Sequence, residues 1–158
     1  MPELVHELDM HAEVTPDDVG LGPLGHRRIA TITSGSVRGP RLNGTMTGAG
    51  ADWILRGPDG YGRVDARLTI TTDDGAKIYL QYVGLLELTP AIVAVMSGGG
   101  DGTAYGDQYF VTGPRFETGD SRYDWLNRSV FVAEGRLVPG PAVDYQVFRV
   151  AGSRPPGR

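Results

Sequence analysis

Turn-forming residues recur along this chain at short intervals, and their spacing constrains the fold more than any other feature. Glycine contributes 24 of the 158 residues and proline contributes 11. The breaks that they create fall at Gly39-Pro40, at 57–60, at 73–75 and at 139–141. Such short loops join antiparallel neighbours, because parallel strands need long crossover connections. The spacing therefore predicts an all-β chain built as a meander.

Between these breaks, apolar and polar residues alternate with a period of two, which is typical of strands with one buried face and one wet face. The predicted strands cover about residues 4–14, 27–38, 42–56, 61–72, 76–86, 107–113, 129–138 and 142–151. About eight short strands favour a single antiparallel up-and-down barrel. We also expect one short inserted helix near 90–97, because Thr89 can cap it and Pro90 suits its first position.

The bulk properties predict one barrel domain over residues 1–151, followed by a disordered tail at 152–158. The chain has no cysteine and no apolar run of about 18 residues, so we expect a cytoplasmic protein that does not associate with membranes. A net charge of −4 disfavours nucleic acid as a partner. The last predicted strand is apolar on both faces, which suggests that a homodimer covers its outer side.

Neither a cofactor nor a metal is predicted. The glycine-rich segments at 48–50 and 98–102 lack the strand-then-helix context of a dinucleotide or phosphate loop. The three histidines are His6, His11 and His26, and the first two point to opposite faces if they share a strand. We therefore predict chemistry that uses amino-acid side chains alone.

A cluster of charged residues provides the candidate catalytic groups. Asp65 and Arg67 lie two positions apart, so they share one face of a strand, and Asp52 lies on the preceding strand. If the loop at 57–60 has four residues, Asp52 lies directly opposite Asp65, whereas a one-residue shift brings Trp53 there instead. Two carboxyl groups this close cannot both ionise easily, so one pKa rises, as general acid–base catalysis requires.

We predict that Asp52, Asp65 and Arg67 point into the barrel, where Arg67 would bind an anionic oxygen and a carboxyl group would move a proton. The other face of the same strand, at 64–70, is apolar. The charged residues can line the interior only if a partner subunit or the inserted helix covers that apolar face.

Aromatic and polar residues alternate near the end of the chain, a combination typical of ligand pockets. We expect the segment 114–127 to cover one mouth of the barrel, with Phe116 and Trp125 facing inward. The predicted ligand-binding side chains are Trp53, Tyr79, Tyr82, Phe110, Phe116, Glu117, Tyr123, Trp125 and Asn127.

Several short motifs occur together and in a fixed order. They are Gly-Pro-x-Leu-x-Gly at 39–44, Ala-Asp-Trp at 51–53, Asp-Ala-Arg at 65–67, Thr-Asp-Asp-Gly-Ala at 72–76, Phe-Glu-Thr-Gly at 116–119 and Trp-Leu-Asn at 125–127. Together they resemble the bacterial DUF3237 family, which includes the UPF0311-like proteins, over most of the chain. The resemblance implies a calycin-type, lipocalin-like barrel, but it implies no reaction, because no general function is established for the family.

Three functional hypotheses follow. The first is a cofactor-independent enzyme that carries out proton transfer on a small carbonyl or phenolic, polyketide-like metabolite, through isomerisation, cyclisation, dehydration or lyase cleavage. The second is a non-catalytic protein that binds or carries an apolar small molecule. The third is a structural module with a filled core. A cavity that contains carboxyl groups would favour the first hypothesis, and a purely apolar cavity would favour the second.

Overall fold

The computed structural model of the chain describes residues 1–153, and these residues form a closed ring of antiparallel strands. The strands are β1 (Glu3–Gly22), β2 (Gly25–Arg38), β3 (Gly44–Arg56), β4 (Tyr61–Thr72), β5 (Lys77–Glu87), β6 (Phe110–Glu117), β7 (Val130–Val138) and β8 (Ala142–Ala151). Helix α1 (Pro90–Met96) connects β5 to β6, and a single 3₁₀ turn (Ser121–Tyr123) followed by helix α2 (Asp124–Asn127) connects β6 to β7.

Each strand pairs with the next one along the chain, and β8 pairs with β1, which closes the barrel. The predicted up-and-down barrel and its short helix are therefore confirmed. Helix α1 begins after Thr89, whose hydroxyl accepts a hydrogen bond from the backbone nitrogen of Ile92 at 3.3 Å. The predicted tail at 152–158 lies outside the described residues from position 154 onward.

The core fills the barrel through the period-two alternation of its strands. In β4, the positions between the buried residues face outward, and the buried residues are Gly62, Val64, Ala66, Leu68, Ile70 and Thr72. Within residues 1–153, no helix is both long and apolar enough to cross a membrane.

The two ends of the barrel differ. We call the end with the β1–β2, β3–β4, β5–β6 and β7–β8 connections the open end, because a cavity lies beneath it. The other end, which we call the closed end, is covered by the segment 118–129 between β6 and β7. There, Leu126 is buried in the core, and the rings of Phe116 and Phe131 meet edge to face with centroids 4.9 Å apart.

A buried ion-pair group lies inside the closed end. The register of β1 against β8 shifts between His6 and Leu8, and this irregularity turns Glu7 inward. One carboxylate oxygen of Glu7 accepts hydrogen bonds from Arg41 at 2.7 Å and from Arg149 at 2.8 Å. Burial alone would raise the pKa of Glu7, but these two arginines outweigh that effect and lower it.

Candidate functional site

A cavity of about 60 Å³ lies beneath the open end of the barrel. Its wall is mostly apolar and is built by side chains of seven strands, of helix α1 and of the loop between β7 and β8. Residues that contribute to it include Ala30, Ile54, Leu86, Met96, Phe110 and Leu137. The charged residues in the wall are Asp52 and Arg28. An apolar wall with a few polar groups is typical of a small-molecule site, whereas the volume is well below the roughly 300–1,000 Å³ of drug-sized ligand pockets, so a ring-sized ligand requires the cavity to widen.

Asp52 lies on the inner face of β3, directly opposite Ala30 on β2 and Ala66 on β4. Its Oδ1 atom accepts a hydrogen bond from the backbone nitrogen of Asp65 at 3.0 Å. Burial raises the pKa of Asp52 to about 6, although that hydrogen bond opposes the shift, and the charge of Asp65 adds slightly to it. Asp52 is thus a carboxyl group that can both hold and release a proton near neutral pH.

Two buried tyrosines lie beside Asp52. The rings of Tyr82 on β5 and Tyr145 on β8 meet edge to face with centroids 5.3 Å apart, and Tyr145 lines the cavity. Burial raises the pKa of both phenols, and the negative charge of Asp52 raises each of them further. Both hydroxyls therefore stay protonated at neutral pH, and the hydrogen bond between them leaves one O–H of the pair to donate to a ligand.

A glycine makes room for these aromatic side chains. Gly135 on β7 is the direct ladder partner of Tyr145. A Cβ atom at position 135 would collide with the ring of Phe110 and would lie 2.9 Å from Cε1 of Tyr145. The absence of a side chain there therefore sets the position of two residues in the cavity wall.

Arg28 enters the cavity from β2. It lies opposite Ile54 on β3 and opposite Asp18 on β1, and all three point to the same side of the sheet. Its Nε atom is buried and has no hydrogen-bond partner among the described residues. The carboxylate of Asp18 instead binds His26 and accepts from the backbone nitrogen of Gly20 at 3.0 Å.

The register of β3 against β4 corrects the predicted orientation of the charged cluster. Arg56 pairs with Gly62, and the loop closes with a hydrogen bond from the Gly57 nitrogen to the Tyr61 oxygen at 2.9 Å. Gly60 adopts a φ of +81°, as a hairpin loop with a bulge requires. The pairing is thus shifted by one residue from the four-residue loop.

As a result, Asp65 and Arg67 project from the outer face of the barrel. Their side chains are 42% and 51% exposed, and the closest charged atoms of the pair are 3.6 Å apart. The guanidinium of Arg67 lies over the ring of Trp53, at 5.2 Å from its centroid. The predicted inward orientation is therefore wrong for Asp65 and Arg67, whereas Asp52 lines the cavity.

The predicted ligand-binding residues are divided among three locations. Phe110 lines the cavity, and Tyr82 lies in the core beside it. Trp53 and Tyr79 lie on the outer face, in a shallow groove that also includes Arg67. The structure does not bring these two groups together, since the wall of the barrel separates them.

The remaining predicted residues lie at or near the closed end, away from the cavity. Tyr123 donates from its hydroxyl to the Asp74 carboxylate at 2.8 Å, and the guanidinium of Arg41 stacks 3.6 Å from the centroid of Trp125. The side chain of Asn127 exchanges two hydrogen bonds with the backbone of Thr118. These contacts hold segment 118–129 in place.

Phe116 and Glu117, on β6, complete the predicted set. Phe116 faces inward as predicted, and Glu117 is exposed opposite Tyr79.

Sequence reasoning did not select Arg28, Tyr145 or Gly135. The sequence did contain an indication of Arg28. Because Arg27 and Arg28 are adjacent in a strand, they point to opposite faces, and one of the two arginines must face the interior. Tyr145 lies on one of two apolar faces of β8, and alternation alone does not distinguish them. Among residues 1–153, no group of three or more His, Cys, Asp and Glu side chains is arranged to hold a metal ion.

Comparisons with known proteins agree on one family. The profile described as "Protein of unknown function (DUF3237)" matches residues 2–150. A UPF0311 protein of Clostridium acetobutylicum is 34% identical over 118 residues, which is 73% of this chain and 73% of that protein. A hydroalkoxylation enzyme of Penicillium herquei is 31% identical over 101 residues, which is 64% of this chain but 52% of that enzyme.

Solved structures support the same fold. A conserved protein of unknown function from Rhodopseudomonas palustris superposes with a TM-score of 0.83 at 29% identity, covering 95% of this chain and 97% of that one. A β-barrel-like protein from Acinetobacter baumannii superposes with a TM-score of 0.78 at 29% identity, covering 95% and 96%. Both comparisons concern the architecture and leave the chemistry of the cavity open.

Proposed function

The chain belongs to the DUF3237 family, and from that premise we propose that its cavity catalyses cofactor-independent proton transfer on a small phenolic or carbonyl metabolite. Asp52 is the group that moves the proton. Tyr145 donates a hydrogen bond to an oxygen of the substrate, and the apolar wall holds the carbon skeleton. Asp65 and Arg67, which lie outside the cavity, have no part in this chemistry.

One observation carries the proposal: a carboxyl group with a pKa raised to about 6 opens into an apolar cavity. A general acid–base group is most effective when its pKa lies near the working pH, because both of its forms are then available. If Asp52 served only to fill space, an apolar residue would stabilise the fold as well or better, because burial disfavours the charged form of a carboxyl group. The placement of Asp52 therefore favours a chemical role.

The relative from Penicillium herquei is a hydroalkoxylation enzyme, and its reaction is one that such a group could perform. In hydroalkoxylation, an O–H group adds across a C=C bond, so that a new C–O bond and a new C–H bond form. The protonated carboxyl group gives its proton to one alkene carbon while the hydroxyl oxygen bonds to the other. The carboxylate then takes the hydroxyl proton and is ready for another cycle. Each cycle balances without an oxidant or a reductant.

A non-catalytic carrier is the alternative, and the mostly apolar wall of the cavity favours it. A carrier needs shape and apolar area but no group with a shifted pKa. The two functions differ in what Asp52→Asn does. In a carrier the change leaves ligand affinity nearly unaltered and there is no turnover to lose, whereas in the enzyme it removes turnover.

The test uses two probes that report proton transfer directly. Ortho-hydroxyacetophenone in D₂O reports exchange at its methyl carbon, and ortho-allylphenol reports ring closure; both are followed by NMR. We expect wild-type protein to accelerate at least one process above the buffer rate, Asp52→Asn to lose the acceleration, and Asp17→Asn, at an exposed aspartate of β1, to retain it. Equal rates for wild type and Asp52→Asn would contradict the proposal, and binding without any acceleration would favour the carrier.

A further inference from the structure

We propose that Arg28 is the anion anchor of the cavity, so that the ligand is a small apolar-ring compound with one anionic oxygen, either a phenolate or a carboxylate. This inference rests on the proposed function only in using the same cavity. It assigns to Arg28 the binding of an anionic oxygen, which the sequence analysis predicted for Arg67. It also specifies the charge of the ligand, which the proposed function leaves open.

The unpaired donor of Arg28 is the first support. Its Nε–H is sealed from solvent without a hydrogen-bond partner among the described residues. A buried donor without an acceptor is unfavourable, and a guanidinium donates best to an anionic oxygen. Because Arg28 also lines the cavity, a movement of its side chain that brings Nε to a ligand oxygen would remove the penalty and add a charge-assisted hydrogen bond.

No carboxylate among residues 1–153 forms an ion pair with Arg28. Asp18 is its direct ladder partner on β1, and His26 and the backbone nitrogen of Gly20 both bind its Oδ1 atom. The hydrogen bond from His26 lowers the pKa of Asp18 and the nearby charge of Arg28 adds to this effect, but the two side chains form no ion pair. Within residues 1–153, no carboxylate oxygen lies within 4.0 Å of the Arg28 guanidinium, although other arginines on this barrel form such ion pairs. The positive charge of Arg28 therefore remains available to a ligand.

The spacing of Arg28 and Asp52 supports the same ligand. Asp52 is the ladder partner of Ala30, and Arg28 lies two residues farther along the same strand face, so Arg28 and Asp52 are diagonal neighbours on β2 and β3. Diagonal neighbours are roughly 7–8 Å apart. This distance separates the backbones and places both side chains beside the same part of the cavity, where one ligand can present its anionic oxygen to Arg28 and its reacting carbon to Asp52.

The apolar wall between the two groups fits the body of that ligand. Ile54, the ladder partner of Arg28, is buried and lines the cavity next to Leu86 and Phe110. A free inorganic anion would gain nothing from these side chains. An oxyanion attached to an apolar ring would gain from both the charge and the buried area.

The experiment compares three probes of similar shape: para-nitrophenolate, para-nitrobenzoate and the neutral para-nitroanisole. Their affinities for the full-length protein are measured by equilibrium dialysis near neutral pH. The visible absorbance of para-nitrophenol, which differs between its neutral and anionic forms, also shows which form is bound. We expect wild-type protein to prefer at least one anion over para-nitroanisole, and the preferred anion decides between phenolate and carboxylate.

Arg28→Met keeps an unbranched apolar stem and removes the guanidinium with its charge. It should lower the affinity for the preferred anion by about tenfold or more, as expected for loss of a hydrogen bond to a charged group, while the affinity for para-nitroanisole changes little. Arg28→Lys should give an intermediate loss because the planar fork is absent. Arg115→Met, at an exposed arginine on the outer face of β6, is the matched control and should behave as wild type.

Two results would overturn the inference: wild-type protein that binds no probe or shows no preference for an anion, or Arg28→Met protein that keeps the preference. A thermal melt of each variant verifies that it is folded, and Arg28→Lys repeats the test if the methionine variant is not. A failure of the proposed function gives a different result. In that case Asp52→Asn leaves the rate of proton exchange unchanged, while the wild-type protein still prefers an anionic probe.

Discussion

The Oδ1 atom of Asp52 lies 3.0 Å from the backbone nitrogen of Asp65, yet the side chains of these two residues occupy opposite sides of the barrel wall. Asp52 faces the cavity, where burial raises its pKa to about 6. The Asp65 side chain is 42% exposed and lies beside Arg67. Two aspartates on adjacent strands therefore meet different surroundings, and only the inner one is suited to proton transfer within the cavity.

The raised pKa of Asp52 makes its effect on stability depend on pH. The native state holds the proton of Asp52 between pH 3.8 and about 6, where the unfolded chain has released it. The contribution of Asp52 to stability is therefore present below pH 3.8 and is lost as pH rises through about 6. Asp52→Asn should be about 1–3 kcal/mol more stable than wild type at pH 8, and nearly equal to it at pH 4.

Urea unfolding of both proteins at the two pH values measures this difference. A gap between the two free energies of unfolding that does not change with pH would show that Asp52 titrates normally.

Glu7 should have the opposite pH dependence. Its pKa is lowered by Arg149 and Arg41 against the effect of burial, so its contribution to stability is present above the ordinary value of 4.5 and is lost as pH falls through the lowered value. Glu7→Gln should lower the free energy of unfolding by about 1–3 kcal/mol at pH 7, because it weakens charge-assisted hydrogen bonds to two arginines that are themselves partly exposed. Chemical denaturation measures the loss, which should shrink in acid. Glu3→Gln, at an exposed position of β1, is the control, and a loss of the same size there would refute the assignment.

Trp125→Ala should reduce stability without affecting the cavity. Trp125 packs against the core at the closed end beneath Arg41, whereas the cavity lies at the open end. We expect a loss of about 1–3 kcal/mol, less than for a fully buried tryptophan because the side chain is half-buried. Affinity for the nitro-aromatic probes should stay within about twofold of wild type, a difference of less than about 0.5 kcal/mol. A large loss of affinity in a folded variant would contradict this expectation and would support the prediction from the sequence that Trp125 contacts the ligand.

Gly135→Ala should change the shape of the cavity wall. The added methyl group would collide with Phe110 and press on Tyr145, and overpacking of this kind lowers stability by about 1–3 kcal/mol. Because both aromatic residues line the cavity, probe affinity should fall as well. Gly113→Ala is the matched control on β6, since a Cβ atom there meets nothing within 4 Å. Thermal melts and equilibrium dialysis measure both effects, and equal behaviour of the two variants would contradict this role for Gly135.

The sequence predicted the barrel well because turn chemistry and alternation are local properties. Helix α1 and the hairpin between β4 and β5 appeared where Pro90 and the Asp73–Gly75 turn predicted them. The orientation of charged residues was harder, because it depends on single-residue irregularities. The bulge in the β3–β4 loop at Gly60 shifts the pairing by one residue, and the irregularity near His6 turns Glu7 inward and leaves His6 exposed.

The candidate site was predicted only in part for the same reason. Asp52 was selected, but its neighbours Ala51 and Trp53 are both apolar, so alternation did not determine which face is inner. The aromatic residues of segment 118–129 fill the closed end. A sequence pattern cannot tell an aromatic side chain that closes a barrel from one that lines a pocket, because both are buried for the same physical reason.

The pairing of β1 with β8 has a consequence for how the molecule is made. Glu7 and Arg149 are separated by 142 positions, and the ladder between their strands runs from Glu3↔Ala151 to Glu13↔Ala142. Because β1 is synthesised before β8, the edge of β1 that pairs with β8 stays unpaired until β8 has been made. Such distant contacts form late and slow the folding of a β protein, and an unpaired strand edge invites association with other chains in the meantime. We therefore expect the pairing of β1 with β8 to be a slow step of folding, and the ion pair between Glu7 and Arg149 can form only when this step is complete.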